Sequence, residues 1–332
     1  MEQTNVELIF NWLDKTTENV QQTKNETFLD SLVITLEMLF EKDVPEGFDD
    51  ITKHKLYQLL SEIKVSDFQH EEIRKGISLA ILKGMKGSTQ QQHLMTPDTV
   101  SLIVSYLANK LLSSHKEVAL FDPASGTGNL LTAVMNQMNK DVAAYAAEVD
   151  PTLIGLAVLN ANLQEKEVEF FHQDSLRPFL MEPVDIVISD LPVGYYPDDI
   201  SANDYELKAD QGHSYSHHLF IEQSLTYMKE GAYFVGVVPE FLFDSDQSDK
   251  LHAFLQKHAH IVGVIRLPES AFKSKQQAKS ILILQKKGEA TSDPKQPLLV
   301  QMPSFKNAHA MADILKKMDQ WFASYPKGIN SK

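Results

Sequence analysis

Two glycines and a preceding acid have the spacing of a nucleoside-binding turn. In the run VALFDPASGTGNLL an apolar segment leads to Asp122, then to Gly126 and Gly128, and then to a segment with helical periodicity. Glycine permits backbone conformations and close approaches that a Cβ would block. The first turn of a helix also presents free N–H groups. The pattern predicts a strand, a tight turn and a helix at the ligand-binding edge of a sheet.

Further acids end the next two predicted strands. Glu148 stands about 20 residues after Gly128, where a carboxylate can accept both ribose hydroxyls, and Asp174 can accept an adenine amine. Leu131 replaces a third glycine and no Gly-Lys-Ser/Thr follows, so neither the dinucleotide fingerprint nor the P-loop is complete. A ring of carboxylates repels pyrophosphate but suits a nucleoside with a cationic tail, such as S-adenosylmethionine. Any one acid is equally explained as a solvated strand end, whereas three at successive strand ends are more specific.

The elements that must position these residues alternate between strand and helix. Seven short β-rich runs follow Thr96, and helical segments separate most of them. This alternation predicts an α/β fold with a doubly wound, mostly parallel seven-stranded sheet of the Rossmann-like type. The last two runs lack a long helix between them, so we expect one antiparallel strand at or near an edge. Apolar periodicity before residue 87 predicts a helical N-terminal domain over residues 1–90, which leaves 91–332 as the cofactor-binding domain.

Composition excludes several functions. The 332 residues carry a net charge of −14 and no cysteine, which excludes a thiolate metal site, a Cys nucleophile and any overall attraction for nucleic acid. No signal peptide or membrane-length apolar run is found, so we expect a cytoplasmic protein without membrane contact. An i,i+4 pair within the cluster of His213, His217 and His218 could hold a metal, but nothing supplies a nearby third ligand, so we expect no metal. A solvated hairpin explains the basic run of Lys273, Lys275 and Lys279.

Several motifs in the correct order resemble one family. D-P-A-S-G-T-G-N resembles the first motif of class I S-adenosylmethionine-dependent methyltransferases, in the form found in amino-methylating enzymes and notably in the modification subunit of type I restriction systems. HLMTPDT resembles the segment ahead of that family's first strand, and VIRLPES resembles its turn before the final hairpin. The resemblance covers residues 94–287. The whole chain resembles the smaller bacterial YtxK-like proteins, which have a helical N-terminal region.

The resemblance implies S-adenosylmethionine as the cofactor. The residues that it implies for cofactor binding are Thr96, Asp122, Ala124, Ser125, Gly126, Thr127, Gly128, Asn129, Glu148, Val149, Asp174, Ser175 and Asp190.

The resemblance also places the catalytic motif after the fourth strand. Amino-methylating enzymes carry [DNS]-P-P-[YFW] there, and this chain has Asp190, Leu191, Pro192 and Val193. Asp190 keeps the oxygen that accepts a hydrogen bond from the reacting amine, so Asp190 and Pro192 are the implied catalytic residues. Val193 has no aromatic ring, so a stacking free energy of about 1–3 kcal/mol per base is lost at this position.

A ring from the following segment could replace the lost aromatic. Tyr195 and Tyr196 are the candidates, at the start of a polar stretch over residues 194–216 that has the length of a substrate-side loop.

Three functions follow from this sequence. The first is methyl transfer to an exocyclic amine, with adenine N6 in DNA as the acceptor. A basic partner or specificity subunit would then supply the DNA contacts. The sequence leaves open whether the chain forms a homodimer. The second keeps the cofactor but changes the acceptor to RNA, protein or a small molecule. The third is a cofactor-binding module without turnover, which the altered Leu191 and Val193 favour.

Overall fold

The computed structural model describes residues 3–86, 95–272, 274 and 277–325. The predicted domain boundary at residues 90 and 91 lies outside the described residues and stays a prediction. Within the described ranges, no helix is both long and apolar enough to cross a membrane.

Four α-helices form the described part of the N-terminal region, residues 3–86. They are α1 Asn5–Lys24, α2 Phe28–Glu41, α3 Asp50–Ser61 and α4 His70–Met85. Apolar residues of these helices form a core, in which Leu32 and Leu36 of α2 are fully buried. Acceptor side chains cap the first three helices; Asp49, for example, accepts the N–H groups of Ile51 and Thr52. The N-terminal helical domain predicted from periodicity is therefore confirmed.

A single mixed sheet forms the larger region. Its strands are β1 Glu117–Asp122, β2 Asp141–Glu148, β3 Val168–His172, β4 Val184–Asp190, β5 Met228–Pro239, β6 Ala259–Arg266, β7 Lys279–Lys286 and β8 Leu298–Gln301. Their order is β3-β2-β1-β4-β5-β7-β6-β8. Only β7 is antiparallel to its neighbours β5 and β6 among the described strands, and the other pairs are parallel. The doubly wound, mostly parallel sheet is confirmed.

The predicted number of strands was wrong, because the sheet has eight strands within the described residues. The extra strand β8 pairs in parallel with β6. It spans four residues and exposes Leu299 to solvent at the sheet edge, so it lacks the long apolar run of a buried parallel strand. A pattern this short is ambiguous in sequence.

Helices cover both faces of the sheet. They are α5 Asp98–Leu111, α6 Asn129–Gln137, α7 Pro151–Leu163, the short α8 Asp199–Ala202, α9 Ser216–Thr226, α10 Ser248–His258 and α11 Ala308–Ser324. One apolar core joins α5, α6 and α11 to the sheet, and a second joins α9 and α10 to it. The predicted site residues lie at or just after the carboxyl ends of β1, β2, β3 and β4, between these two layers.

The N-terminal helices are packed onto the helices that carry the glycine turn. Leu153 and Leu156 of α7 share an apolar core with α1, α2 and α4. Arg74 of α4 is fully buried and donates to Asn129, the first residue of α6, at 2.5 Å. The helical region therefore supports the helix that begins at the predicted cofactor turn.

Candidate active site

The glycine turn after β1 has the predicted geometry. Gly126 and Gly128 adopt positive φ angles of 53° and 73°, which glycine tolerates best. A Cβ at Gly128 would lie 3.3 Å from Ala157 of α7, so this glycine also permits close packing of that helix. A Cβ at Gly126 would meet no atom within 4 Å, which leaves its outer side open.

The Glu148 carboxylate connects β2 to the glycine turn. It accepts the Gly126 N–H at 3.0 Å through one oxygen, and the N–H groups of Val149 and Asp150 through the other. These three bonds fix its direction without neutralising it by a cation. A carboxylate that is fixed in this way still has lone pairs that can accept hydrogen bonds from ribose hydroxyls.

Asp174 follows β3 and is oriented by Tyr196. The Tyr196 hydroxyl donates to one carboxylate oxygen at 2.6 Å, and the Leu176 N–H donates to the other at 2.9 Å. Tyr196 is buried, and burial together with this bond raises the pKa of its hydroxyl. Tyr196 is therefore no stacking ring, and its contact with Asp174 is one that sequence reasoning missed.

Asp190 ends β4 and is held on both sides. Thr96 Oγ1 donates to Asp190 Oδ2 at 2.8 Å, and the Lys279 ammonium forms an ion pair with Oδ1. The solvated-hairpin interpretation is therefore wrong for Lys279, whose side chain is mostly buried against Asp190. Lys273 and Lys275 lie outside the described residues.

Asp122 is a buried carboxyl with one unpartnered oxygen. Oδ1 accepts from Ser189 at 2.8 Å and from the Ala124 N–H at 3.1 Å, whereas Oδ2 has no hydrogen-bond partner among the described residues. Burial is the main cause that raises the pKa of Asp122 to about 7, and the negative charges of Asp190 and Glu148 add to it. An unpartnered buried acceptor beside two carboxylates is suited to a cationic group.

Cofactor affinity is expected to depend on pH through Asp122. A cation binds the ionised carboxyl better, so affinity for S-adenosylmethionine should rise as pH increases through about 7 and level off above it. Asp122→Asn should flatten this dependence. Titrations of both proteins between about pH 5.5 and pH 8.5 measure the difference. An unchanged slope in Asp122→Asn would assign the dependence to another group.

The same shift has the opposite effect on folding. The folded pKa lies above the ordinary value of 3.8, so the protonated carboxyl contributes stability that is complete below 3.8 and is lost as pH rises through about 7.

Three of the remaining predicted residues are hydrogen-bonded within the protein, and three others are at least partly exposed to solvent. Ser125 donates to the Ala147 carbonyl, Ser175 donates to the Pro123 carbonyl, and the Thr127 carbonyl accepts from Asn160. These buried contacts shape the turn. Ala124 is partly exposed, and Val149 and Pro192 are exposed; these residues follow the carboxyl ends of β1, β2 and β4.

Asn129 is bonded within the protein. Its side-chain oxygen accepts from Arg74 and Ser78, and its amide donates to the Thr96 carbonyl at 3.3 Å. This contact links the helical region, the glycine turn and the segment ahead of α5. Sequence reasoning missed Arg74, which lies 55 positions from Asn129.

The altered motif positions differ in exposure. Leu191 is buried in the core, whereas Val193 is 48% exposed and Tyr195 is 57% exposed. The Tyr195 ring stacks on Tyr215 with centroids 4.8 Å apart, and the two residues form a backbone bridge. Of the two candidate rings, Tyr195 is therefore the accessible one.

The histidine cluster forms no metal centre among the described residues. No group of three metal-ligating side chains occurs within them. His217 and His218 are buried, and burial lowers their pKa values to about 3 and about 4, so both are neutral at pH 7.

These contacts bring the predicted side chains together at the carboxyl ends of the parallel strands. The Asp122–Ser189 bond joins β1 to β4, and the Glu148–Gly126 bond joins β2 to the turn. The open face of Gly126, the fixed Glu148 carboxylate and the orphan Asp122 oxygen fit the ribose and the cationic tail of S-adenosylmethionine. A Rossmann-like sheet with these side chains at its strand ends is the arrangement expected for a class I methyltransferase.

Comparison with known proteins gives the family. The model of the YtxK N-terminal helical domain matches residues 7–85, and that of the N-6 DNA Methylase family matches residues 84–321. The chain belongs to the N-6 DNA Methylase family.

Two proteins are similar to this chain over nearly its whole length, and a third shares only the fold. The uncharacterized protein YtxK of Bacillus subtilis is 44% identical over 97% of this chain and 99% of its own length. A Listeria monocytogenes protein with a provisional assignment as a class I S-adenosylmethionine-dependent methyltransferase is 42% identical, with a TM-score of 0.90 over 96% of this chain and 99% of its own. The methyltransferase subunit of a Streptococcus thermophilus type I restriction-modification system shares the fold, at 14% identity and a TM-score of 0.64 over 93% of this chain and 74% of its own.

Proposed function

We propose that this methyltransferase uses S-adenosylmethionine to methylate an exocyclic amino group, with adenine N6 in DNA as the acceptor. The observation that carries the proposal is the placement of Asp190. Asp190 ends β4, and its negative charge helps to raise the pKa of the nearby Asp122 carboxyl, whose Oδ1 accepts from Ser189 and whose Oδ2 has no partner among the described residues. A hydrogen-bond acceptor for an amine therefore lies beside an acidic site suited to a sulfonium nucleoside. Family membership supports the same chemistry.

Each site residue has a definite task in this proposal. Glu148 would hold the ribose hydroxyls, Asp174 the adenine amine and Asp122 the cationic tail, with the glycine turn giving backbone access. The bound cofactor supplies an activated methyl group. Asp190 and a backbone carbonyl near Pro192 would accept hydrogen bonds from the acceptor amine and direct its lone pair. We propose that the remaining predicted cofactor-binding residues shape or line the same site.

DNA binding is proposed to need a partner. A net charge of −14 gives no overall attraction for phosphates. The loop that carries Tyr195 is itself acidic, since Asp198, Asp199 and Asp204 follow within nine residues. A basic partner or specificity subunit would supply the missing contacts. We also propose a cytoplasmic location, where DNA and the cofactor are both available.

Tyr195 is expected to provide the stacking surface that Val193 lacks. Tyr195→Ala should lower kcat/KM on a proven nucleic acid acceptor by about 5- to 150-fold, which corresponds to the loss of one base–aromatic stack. Tyr195→Phe should keep the activity, because the ring is retained. Steady-state kinetics of both variants measure this. Equal losses in both variants would point to the hydroxyl rather than to the ring.

A cofactor-binding module without turnover is the second candidate. The specific observation that favours it is the replacement of the first proline of the motif by Leu191, which is buried, and of its aromatic residue by Val193, which offers no ring. Transfer of a labelled methyl group to separate pools of DNA, RNA and lysate protein distinguishes the candidates. We expect label in DNA. Label only in RNA or protein would change the acceptor, and tight cofactor binding without label in any pool would favour the module.

A further inference from the structure

Asp190 is paired with a lysine from a distant strand. Lys279 begins β7, 89 positions after Asp190, and its ammonium contacts Asp190 Oδ1. The side chains are only 19% and 14% exposed. A partly buried ion pair is screened less by salt than a surface pair. Thr96 holds the other oxygen, so the carboxylate has a fixed direction.

Among the described residues, Lys279 is also the only cation that forms an ion pair with the acidic side chains at the carboxyl ends of β1 to β4. Four carboxylates lie there, on Asp122, Glu148, Asp174 and Asp190. The first three are bonded to hydroxyl and backbone N–H donors, which are neutral. Across residues 3–86, 95–272, 274 and 277–325, no second lysine or arginine forms an ion pair with any of the four.

We propose that Lys279 is a positioning residue that supplies the counter-charge of Asp190 and so sets how strongly the pocket prefers a cationic over a neutral sulfur nucleoside. This inference rests on the proposed function. S-Adenosylmethionine carries a sulfonium, and the demethylated product S-adenosylhomocysteine carries a neutral thioether. An unpaired Asp190 would add a full negative charge that favours only the sulfonium. Lys279 cancels most of that charge while leaving Asp190 oxygen lone pairs for an amine.

The ratio of two affinities isolates this charge effect. The two nucleosides share the adenine, the ribose and the amino acid end, so general damage to the pocket lowers both affinities and leaves their ratio unchanged. Lys279→Met should raise the preference for S-adenosylmethionine over S-adenosylhomocysteine by about three- to tenfold. Asp190→Asn should lower it, and the double variant should return to within about twofold of the original ratio. Lys279→Arg should keep the original ratio.

Calorimetric titration of the full chain with each nucleoside measures these ratios. Lys286→Met is the matched control, because Lys286 lies at the other end of β7 and donates to the Met228 carbonyl; its ratio should not change. Lys279→Gln is the second variant if Lys279→Met does not fold.

Two results would overturn the inference, and they differ in scope. A ratio that stays within twofold of the original in both Lys279→Met and Lys279→Gln overturns the counter-charge role alone. An unmodified protein that binds neither nucleoside overturns the proposed function together with it.

Discussion

Asp190→Ala is expected to lower the methyl-transfer rate by about 10²–10³, the scale seen when one preorganised polar contact to a transition state is removed. Affinity for S-adenosylhomocysteine should stay within a few-fold, because Glu148, Asp174 and the glycine turn are untouched. The reason is geometric. Thr96 and Lys279 fix the Asp190 carboxylate at the end of β4, where its free lone pairs can receive the amine. Single-turnover kinetics on a proven acceptor measure the rate.

The matched variant is Asp190→Asn. Its amide oxygen can still accept a hydrogen bond, so its loss of rate should be much smaller than that of Asp190→Ala. An Asp190→Ala protein with the unmodified rate would show that Asp190 does not face the amine.

Glu148→Ala is expected to weaken binding of S-adenosylmethionine by about 1.5–3 kcal/mol, the range for losing hydrogen bonds to a charged group. This corresponds to roughly 10- to 150-fold in the dissociation constant. Two effects contribute, because the substitution removes the proposed ribose acceptor and also the carboxylate that holds Gly126.

Asp141→Ala is the control for this prediction. Asp141 is an exposed acid at the opposite end of the same strand β2, so its removal changes the net charge by the same amount away from the site. Equal weakening by both variants would indicate a general charge effect. An unchanged affinity in Glu148→Ala alone would mean that another group holds the ribose.

Local sequence determines much of the site. The strand, glycine turn and helix around Gly126 are consecutive in the chain, and Asp122, Glu148 and Asp190 each end a strand whose β-rich pattern is strong. Parallel pairing then brings these ends to one edge. Such features depend on short-range periodicity and on topology rules, which a single sequence carries.

Contacts between segments that are distant in the chain could not be predicted from periodicity and topology rules. Lys279 reaches Asp190 because β7 inserts between β5 and β6, whereas the sequence predicted only that one of the last strands is antiparallel and not which strand lies beside it. The Arg74–Asn129 contact likewise depends on how α4 packs on α6. The choice between Tyr195 and Tyr196 required the direction of each side chain in an irregular loop, where neighbouring positions have no fixed periodicity.

Titration calorimetry with S-adenosylmethionine, S-adenosylhomocysteine and NAD tests the central claim most directly, namely that the edge formed by β1, β2 and β4 is a site for a sulfur nucleoside. We expect both sulfur nucleosides to release or absorb heat with saturable one-site binding, and NAD to give none, because the carboxylates repel its pyrophosphate. The absence of heat with either sulfur nucleoside at concentrations up to about millimolar, where the binding free energy is about −4 kcal/mol, would contradict the claim.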